Sequence, residues 1–502
     1  MKSETNYVLG FWVVSIILAV GKIVFTLRPE IDLFTEEAQY WLWSRNLAWH
    51  YYSKPPLIAV FNWFSTSIFG VNELGVRINA ILLGIGTAWV VFRFTQYLYG
   101  SAKVAFWASI LIMSMPAWVL FSTFHLTDSE LAFFWILSMY LAFRGIKEDK
   151  KEWWILAGLA SGFGLMAKSI MIVIGPFILV YLILTHRLKV HWKNFLIFLL
   201  IGAVGFLPGL IWNWQNDFST YKHLAFLGGM AGQNPSFDLL PWLTRFGEYW
   251  GGQIAMISIF LFPVFLASVY AFFKKPTKDE AFLVLPALLC WLGFGAITLY
   301  ANVEANWPIF AYSTLPIFFS KWIFEQSEKW LKFRNWGVAL GVGLPLLLIT
   351  PDFTPVKNWD SIKKAEKASF KRLIGYKQIA NRVAFLRDSL EMREALVISE
   401  SYHMASEMAF YLPEHPKTFT INMGSRKNQF DLWEGLECQI GKNQDGIFVS
   451  WISQSPDQVL TFDSLIYEEK LKVRFKGDSL RCATIQFWKN LQDYQPVKTE
   501  TY

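Results

Sequence analysis

Over roughly its first 350 positions this chain groups its apolar residues into long blocks, without the short alternation of a half-buried strand. A run of about 18 or more apolar residues with few charges can cross ~30 Å of hydrocarbon as a helix. Such runs predict helices at 8–26, 78–97, 104–121, 130–146, 153–168, 169–185, 194–213, 253–273, 280–300, 307–324 and 334–351. That makes about eleven crossings (eleven to thirteen in all), and only Lys168 divides 153–168 from 169–185. The first run, Val8 to Phe25, is longer than a signal-peptide core and no small-x-small site follows it. It is expected to remain as the first helix, with Lys22 near its outer end.

From Pro351 onward the pattern changes. Lys363 to Arg387 has helical periodicity, and ALVIS, TFTIN, GIFVS, LIYEEKLKVRF and CATIQFW follow as candidate strands, with a helix over Tyr402 to Tyr411. The expected architecture is a polytopic α-helical membrane domain, 1–351, followed by a soluble α/β domain, 352–502.

Charge gives the orientation. One alternate set of short connections carries Lys2, Lys103, Arg144, Lys147, Lys150, Lys151, Arg187, Lys189, Lys193, Lys274, Lys275, Lys278, Lys329, Lys332 and Arg334. The other set is longer and poorer in positives, so the N-terminus is expected in the cytoplasm and the C-terminal domain outside, in the periplasm of a bacterium. Two of the outer segments are long. Residues 28–77, with WLWSRNLAWHYY and a Pro-Pro break after Lys54, read as short interfacial helices. Residues 214–252, with Gly228, Gly229, Gly232 and Pro235, read as a loop able to cover a site.

Composition agrees: 54% hydrophobic, 18% aromatic and 17% charged, with 25 Trp and 19 Tyr to populate two water–lipid interfaces. The formal charge of +7 lies largely in loops and forms no basic stripe, which excludes nucleic acid as a partner. Of three cysteines, Cys290 sits in an apolar run, while Cys438 and Cys482 could pair in an oxidising compartment. No CxxC, HExxH or Cys/His cluster suggests zinc.

Candidate chemistry concentrates in the first outer segment, DLFTEEAQYWLWSRNLAWHYYSKPPL. Glu36 and Glu37 follow Thr35 at the start of an aromatic helix, where carboxylates also serve simply as caps. Asp128, in FHLTDSE, stands where a helix re-enters the membrane, and Lys54 stands beside the Pro-Pro break. Carboxylates and a lysine at one membrane depth are costly unless paired or functional. An acidic centre with a cationic rim suits a lipid-linked phosphate-sugar: the lysine holds phosphate and a carboxylate deprotonates an acceptor hydroxyl.

The order T-E-E-A-Q-Y-W, Y-Y-S-K-P-P-L-I-A and G-V-N-E-L-G-V-R resembles polyprenyl-phosphate-sugar-dependent glycosyltransferases of the GT-C fold. It is similar to their branch of protein O-mannosyltransferases and lipid A aminoarabinose transferases. T-D-S-E-L-A-F-F-W, G-L-M-A-K, A-N-W-P-I-F-A-Y, S-E-M-A-F-Y-L-P and R-K-N-Q-F-D-L-W extend the resemblance over nearly the whole chain. The resemblance implies Glu36 as the base, a glutamate where the family usually has aspartate, with Glu37 and Asp128 in support. It places Lys54 on the donor phosphate. Arg45 and Lys168 are further candidates for the phosphate; His50, Tyr52, Asn306 and Trp307 for the substrate; and Arg426, Asn428 and Gln429 for the acceptor. Interface anchoring, snorkelling and packing are the competing roles of these residues.

The expected activity is inverting transfer of a sugar from a polyprenyl (undecaprenyl) monophosphate to a lipid A, glycan or protein acceptor at the outer face of the inner membrane. No nucleotide motif appears, and no cofactor is implied beyond a divalent cation that Glu36, Glu37 and Asp128 could ligate. A lipid-linked-sugar transporter or flippase would explain the helices but not the outer domain, and no paired half-repeats are visible. A non-catalytic envelope assembly protein would leave the acidic pair replaceable. A phosphoethanolamine-type transferase would need an Asp/His cluster that the tail lacks.

Overall fold

The computed structural model describes residues 2–227, 239–326, 328–349, 364, 367–424, 427–451 and 455–497. The covering loop expected over 214–252 is largely helical instead, with helices over Ser219–Leu227 and from Leu239 onward, because its flanks carry enough apolar residues to form packed helices. Only 228–238, with Gly228, Gly229, Gly232 and Pro235, lie outside the described residues, as does Arg426. Packing divides the chain into two units. One comprises Met1–Ile23, Lys54–Ile58 and Arg77–Thr350, and the other Val24–Ser53, Ala59–Val76 and Pro351–Tyr502. Most of the first outer segment therefore folds with the C-terminal part of the chain.

The helices in chain order begin with α1 (Lys2–Thr26), α2 (Thr35–Ser44), α3 (Leu57–Phe69), α4 (Glu73–Tyr99), α5 (Ala102–Met113) and α6 (Pro116–Phe121). Then come α7 (Thr127–Glu148), α8 (Lys151–Ala167), α9 (Ile174–Leu184), α10 (Leu188–Val204), α11 (Leu207–Gln215) and α12 (Ser219–Leu227). After these follow α13 (Leu239–Ile257), α14 (Leu261–Lys274), α15 (Lys278–Ile297), α16 (Leu315–Phe324) and α17 (Glu328–Ile349).

Among the described residues four helices are long and apolar enough to cross a membrane alone: Glu4–Thr26, Glu73–Tyr99, Thr127–Glu148 and Lys278–Ile297. Except for 334–351, which falls on the 22-residue α17, the other expected crossings fall on shorter or broken helices. The expected 104–121 is interrupted before Pro116, which takes the first turn of α6 because it has no N–H to donate there. The expected 194–213 becomes α10 and α11, bent by 43°. The expected 253–273 becomes two helices at 98°, with Ser258 between them in the left-handed region at φ 107°. Hydropathy averages across such breaks, because a bend changes direction without changing composition.

Small residues let the helices of this unit approach closely. A Cβ on Gly205 would meet the Gly162 carbonyl oxygen at 2.1 Å, and one on Gly158 would meet the Phe198 oxygen at 2.9 Å. Around these contacts the core is aromatic, as where Trp135 meets Phe310 edge-on at 4.6 Å.

In the other unit, α18 (Tyr376–Ser389) and α19 (Tyr402–Tyr411) accompany a five-stranded sheet of order β2-β1-β3-β5-β4. Its strands are β1 (Leu396–Ser399), β2 (Thr418–Thr420), β3 (Gly446–Ser450), β4 (Leu460–Phe475) and β5 (Asp478–Tyr494). β1 runs parallel to β2 and β3, while β5 is antiparallel to both β3 and β4. β3 is buried throughout, as a strand covered on both faces must be. Lys476 (φ 48°) and Gly477 (φ 94°) form the two-residue turn joining β4 to β5, both in the left-handed region that such a hairpin requires.

The five expected strands and the helix at Tyr402 are present, although β4 and β5 extend beyond their expected ends. The single helix expected over Lys363 to Arg387 is not continuous. Gly375, at φ 110°, breaks it before α18, and a Cβ there would meet Val473 Cγ1 at 2.5 Å. Cys438 and Cys482 are both free and exposed.

Candidate active site

In the first unit the chemistry gathers around Asp128, the second residue of α7. One of its oxygens lies 2.8 Å from Lys168 Nζ, and the other accepts from Asn306 Nδ2 at 3.3 Å. Lys168 caps the end of α8, where its own N–H donates to the Gly164 carbonyl at 2.9 Å. The sequence-predicted Asp128, Lys168 and Asn306 therefore form one cluster in which Asp128 is buried and the other two are half-buried, and the lysine neutralises the carboxylate. Trp307 follows with its ring 5.8 Å from Phe294. Lys54 belongs to this unit and is half-buried.

Sequence reasoning missed the pair behind Asp128. His125 Nε2 and Glu130 Oε1 lie 3.4 Å apart, and both side chains are fully buried. Burial pushes His125 down to about 3, so the imidazole is neutral. The signal was available in HLTDSE, where two ionisable residues flank Asp128 at a membrane boundary.

In the second unit the site is the N-terminus of α2. Glu37 is fully buried, and its Oε2 accepts the Phe34 N–H at 2.9 Å, the reciprocal half of a capping box. Glu36 is different. It is the one residue of α2 that is not buried. Its Oε2 accepts from Thr35 Oγ1 at 2.7 Å, and among the described residues its other oxygen has no partner. A carboxylate beside helix N–H groups, half open to solvent, has the acceptor capacity a general base needs.

The remaining candidates are scattered through this unit. Arg45 caps the end of α2 and donates to the His415 carbonyl, with its guanidinium 5.5 Å from the centre of the Trp41 ring. It borders a cleft of about 490 Å³ shared with Trp41, Trp63 and His415. Arg45 lies nine residues beyond Glu36, about half a turn around the helix axis once whole turns are removed. His50 is buried, its Nδ1 meets the Tyr51 carbonyl at 2.6 Å, and burial lowers it to about 4. A neutral imidazole offers a phosphate no charge. Tyr52 is buried and its N–H donates to Gln429 Oε1 at 2.7 Å, which occupies Gln429. Asn428 accepts from the Phe430 N–H at 2.9 Å and caps a short turn. Among the described residues no group of three or more His, Cys, Asp or Glu side chains is set to hold a metal ion.

A family described as dolichyl-phosphate-mannose-protein mannosyltransferase matches residues 53–212. The lipid A galacturonosyltransferase RgtD of Rhizobium johnstonii is 25% identical over 405 residues, 76% of this chain and 78% of that protein. The fold is that of ArnT from Cupriavidus metallidurans. The ArnT structure bound to undecaprenyl phosphate aligns with a TM-score of 0.66 at 13% identity, over 96% of this chain and 98% of that one. The chain is a glycosyltransferase of the GT-C fold. An undecaprenyl phosphate-alpha-4-amino-4-deoxy-L-arabinose arabinosyl transferase of Proteus mirabilis is 26% identical over 175 residues, 34% of this chain and 31% of that protein. The apolar helices make this transferase a multi-pass membrane protein.

Proposed function

We propose that this transferase moves a sugar from undecaprenyl monophosphate to a hydroxyl or phosphate of lipid A or a related envelope glycan, with inversion, on the periplasmic face. The reading rests on one observation above the others: Glu36 alone on α2 is left unburied, with one oxygen uncommitted. The acceptor oxygen attacks the anomeric carbon and forms the new C–O bond as the bond to the donor phosphate breaks. Glu36 takes the acceptor's proton, and undecaprenyl phosphate leaves against the Lys54 ammonium. Glu37 holds the helix start, and Asp128 orders Lys168 and Asn306.

Support for the donor and acceptor comes from the relatives. The Rhizobium johnstonii protein is a lipid A galacturonosyltransferase, and the Cupriavidus metallidurans structure holds undecaprenyl phosphate. The distribution of Lys and Arg supports a cytoplasmic N-terminus, a catalytic membrane domain over 1–351 and a periplasmic domain over 352–502.

Mass spectrometry of envelope lipids tests the reading in three strains: one lacking the protein, one restored, and one restored with Glu36→Gln at matched membrane levels. The expected result is a sugar-sized mass that is lost, regained, and lost again. Full restoration by Glu36→Gln removes Glu36 as the base.

A further inference from the structure

The residues immediately before α2 are held from the C-terminal part of the same unit, at two consecutive positions. At the first, the Asp32 N–H donates to the Leu373 carbonyl at 2.7 Å, and Asp32 Oδ2 accepts the Tyr376 and Lys377 N–H groups at 2.7 and 3.3 Å. At the second, the Leu33 N–H donates to the Tyr411 hydroxyl at 2.7 Å. That hydroxyl donates in turn to Glu73 Oε1 at 3.0 Å, and Lys377 Nζ lies 2.6 Å from the same oxygen. The next residue is Phe34, the N-cap of α2, whose N–H is taken by Glu37. Behind the helix Ala38, Trp41 and Leu42 pack with Ala405, Ala409 and Phe410 of α19, and Trp41 meets Phe410 edge-on at 4.9 Å. The helix start is thus held by the two residues before it and by its packed face, and Glu36 is the residue of α2 left unburied.

We propose that Tyr411 is a positioning residue for transfer: by holding the Leu33 N–H it sets the first turn of α2, and so places the Glu36 carboxylate. The inference rests on Glu36 being the base. It gives the C-terminal domain a task within the reaction, separate from any binding of acceptor. A single phenol suits that task. It accepts from a backbone N–H that precedes the helix and donates to a carboxylate already balanced by a lysine, so both of its bonds have one direction. Burial raises its pKa well above the ordinary phenol value, which keeps the donating proton in place. A carboxylate displaced by about 1 Å loses rate steeply while substrate binding, made elsewhere, is unaffected.

Tyr411→Phe is the test, because it keeps the ring and removes only the hydroxyl. Purified full-length protein is assayed with the lipid-phosphate donor and the lipid A acceptor. The expected result is a kcat about tenfold or more lower, with both KM values within twofold of wild type and an unchanged melting temperature. Glu36→Asp, which retains a carboxylate on a shorter arm, is then combined with Tyr411→Phe. If Tyr411 acts through Glu36, the two losses do not multiply. Multiplying losses overturn the proposal, as does an unchanged kcat or a change confined to KM. Should Tyr411→Phe lower the melting temperature, Glu73→Gln removes the charge of the hydroxyl's acceptor but keeps the Leu33 bond, and a smaller fall in kcat alone is expected. An unchanged kcat for Glu73→Gln then counts against the proposal. Full activity of Glu36→Gln would instead remove the underlying assignment of the base.

Discussion

Asp128 and Glu36 are both acidic residues in the first turn of a helix, yet the protein treats them differently. Asp128, within the membrane unit, is 8% exposed and has a lysine on one oxygen and an asparagine on the other. Glu36, in the unit that holds the C-terminal sheet, has a threonine hydroxyl on one oxygen and none of the described residues on the other. A carboxylate that must survive at low dielectric needs a cation, and the cation occupies it. One that must accept a proton from a substrate needs an open lone pair. Burial and partners, more than residue type, separate the two acids here.

The largest effect that can break this comparison is on rate. Glu36→Gln is expected to lower kcat by about 10²- to 10⁴-fold, the usual contribution of a general base, with the protein folded and donor binding intact. Glu37→Gln is expected to lower it less than tenfold, since an amide oxygen can still accept the Phe34 N–H. Steady-state assays of the two variants side by side decide it. Reversed magnitudes would transfer the role of base to Glu37.

Next comes stability. Asp128→Asn leaves the half-buried Lys168 ammonium without its counter-charge, an expected loss below the about 3–5 kcal/mol of a fully buried pair. Adding Lys168→Met removes the stranded charge and is expected to restore most of the melting temperature in detergent. If the double variant melts no higher than Asp128→Asn, the pair is not the unit described. If it recovers its fold and most of its activity, Asp128 is structural.

These contrasts were only partly written in the sequence. The strands at Leu396, Thr418 and Gly446 were legible, because continuous apolar runs of four or five residues between polar turns admit few other structures. Asp128 stands out in the sequence as costly at a membrane boundary and Lys168 as a candidate for the phosphate, but nothing in their separation of forty residues says that they pair. Tyr411 was invisible as anything but the end of a helix. Its partners Leu33 and Glu73 are 378 and 338 residues away, and contacts so distant leave no periodicity to read. The breaks at Pro116 and Ser258 were hidden for the opposite reason: the sequence on both sides is uniformly apolar.

A smaller effect concerns the pH response of the unit that holds the C-terminal sheet, where two buried groups oppose each other. Burial lowers His50 from 6.5 to about 4, so the folded state holds fewer protons than the unfolded chain between those values. Its contribution is complete above pH 6.5 and is lost as the pH falls toward 4. Asp32 does the reverse. Burial raises it from 3.8 to about 6 against the pull of Lys377 and three backbone N–H groups, so the folded state holds the extra proton. Its penalty at neutral pH is relieved as the pH falls from 6 toward 4. Each slope is at most about 1.4 kcal/mol per pH unit, and between pH 4 and 6 they largely cancel. Melting of the wild type is therefore expected to change little from these two groups across that window. His50→Gln should expose the slope of Asp32, with stability rising on acidification, and Asp32→Asn should expose that of His50, with stability falling. Parallel slopes in the two variants would mean that Asp32 and His50 do not carry the opposed shifts that their burial implies.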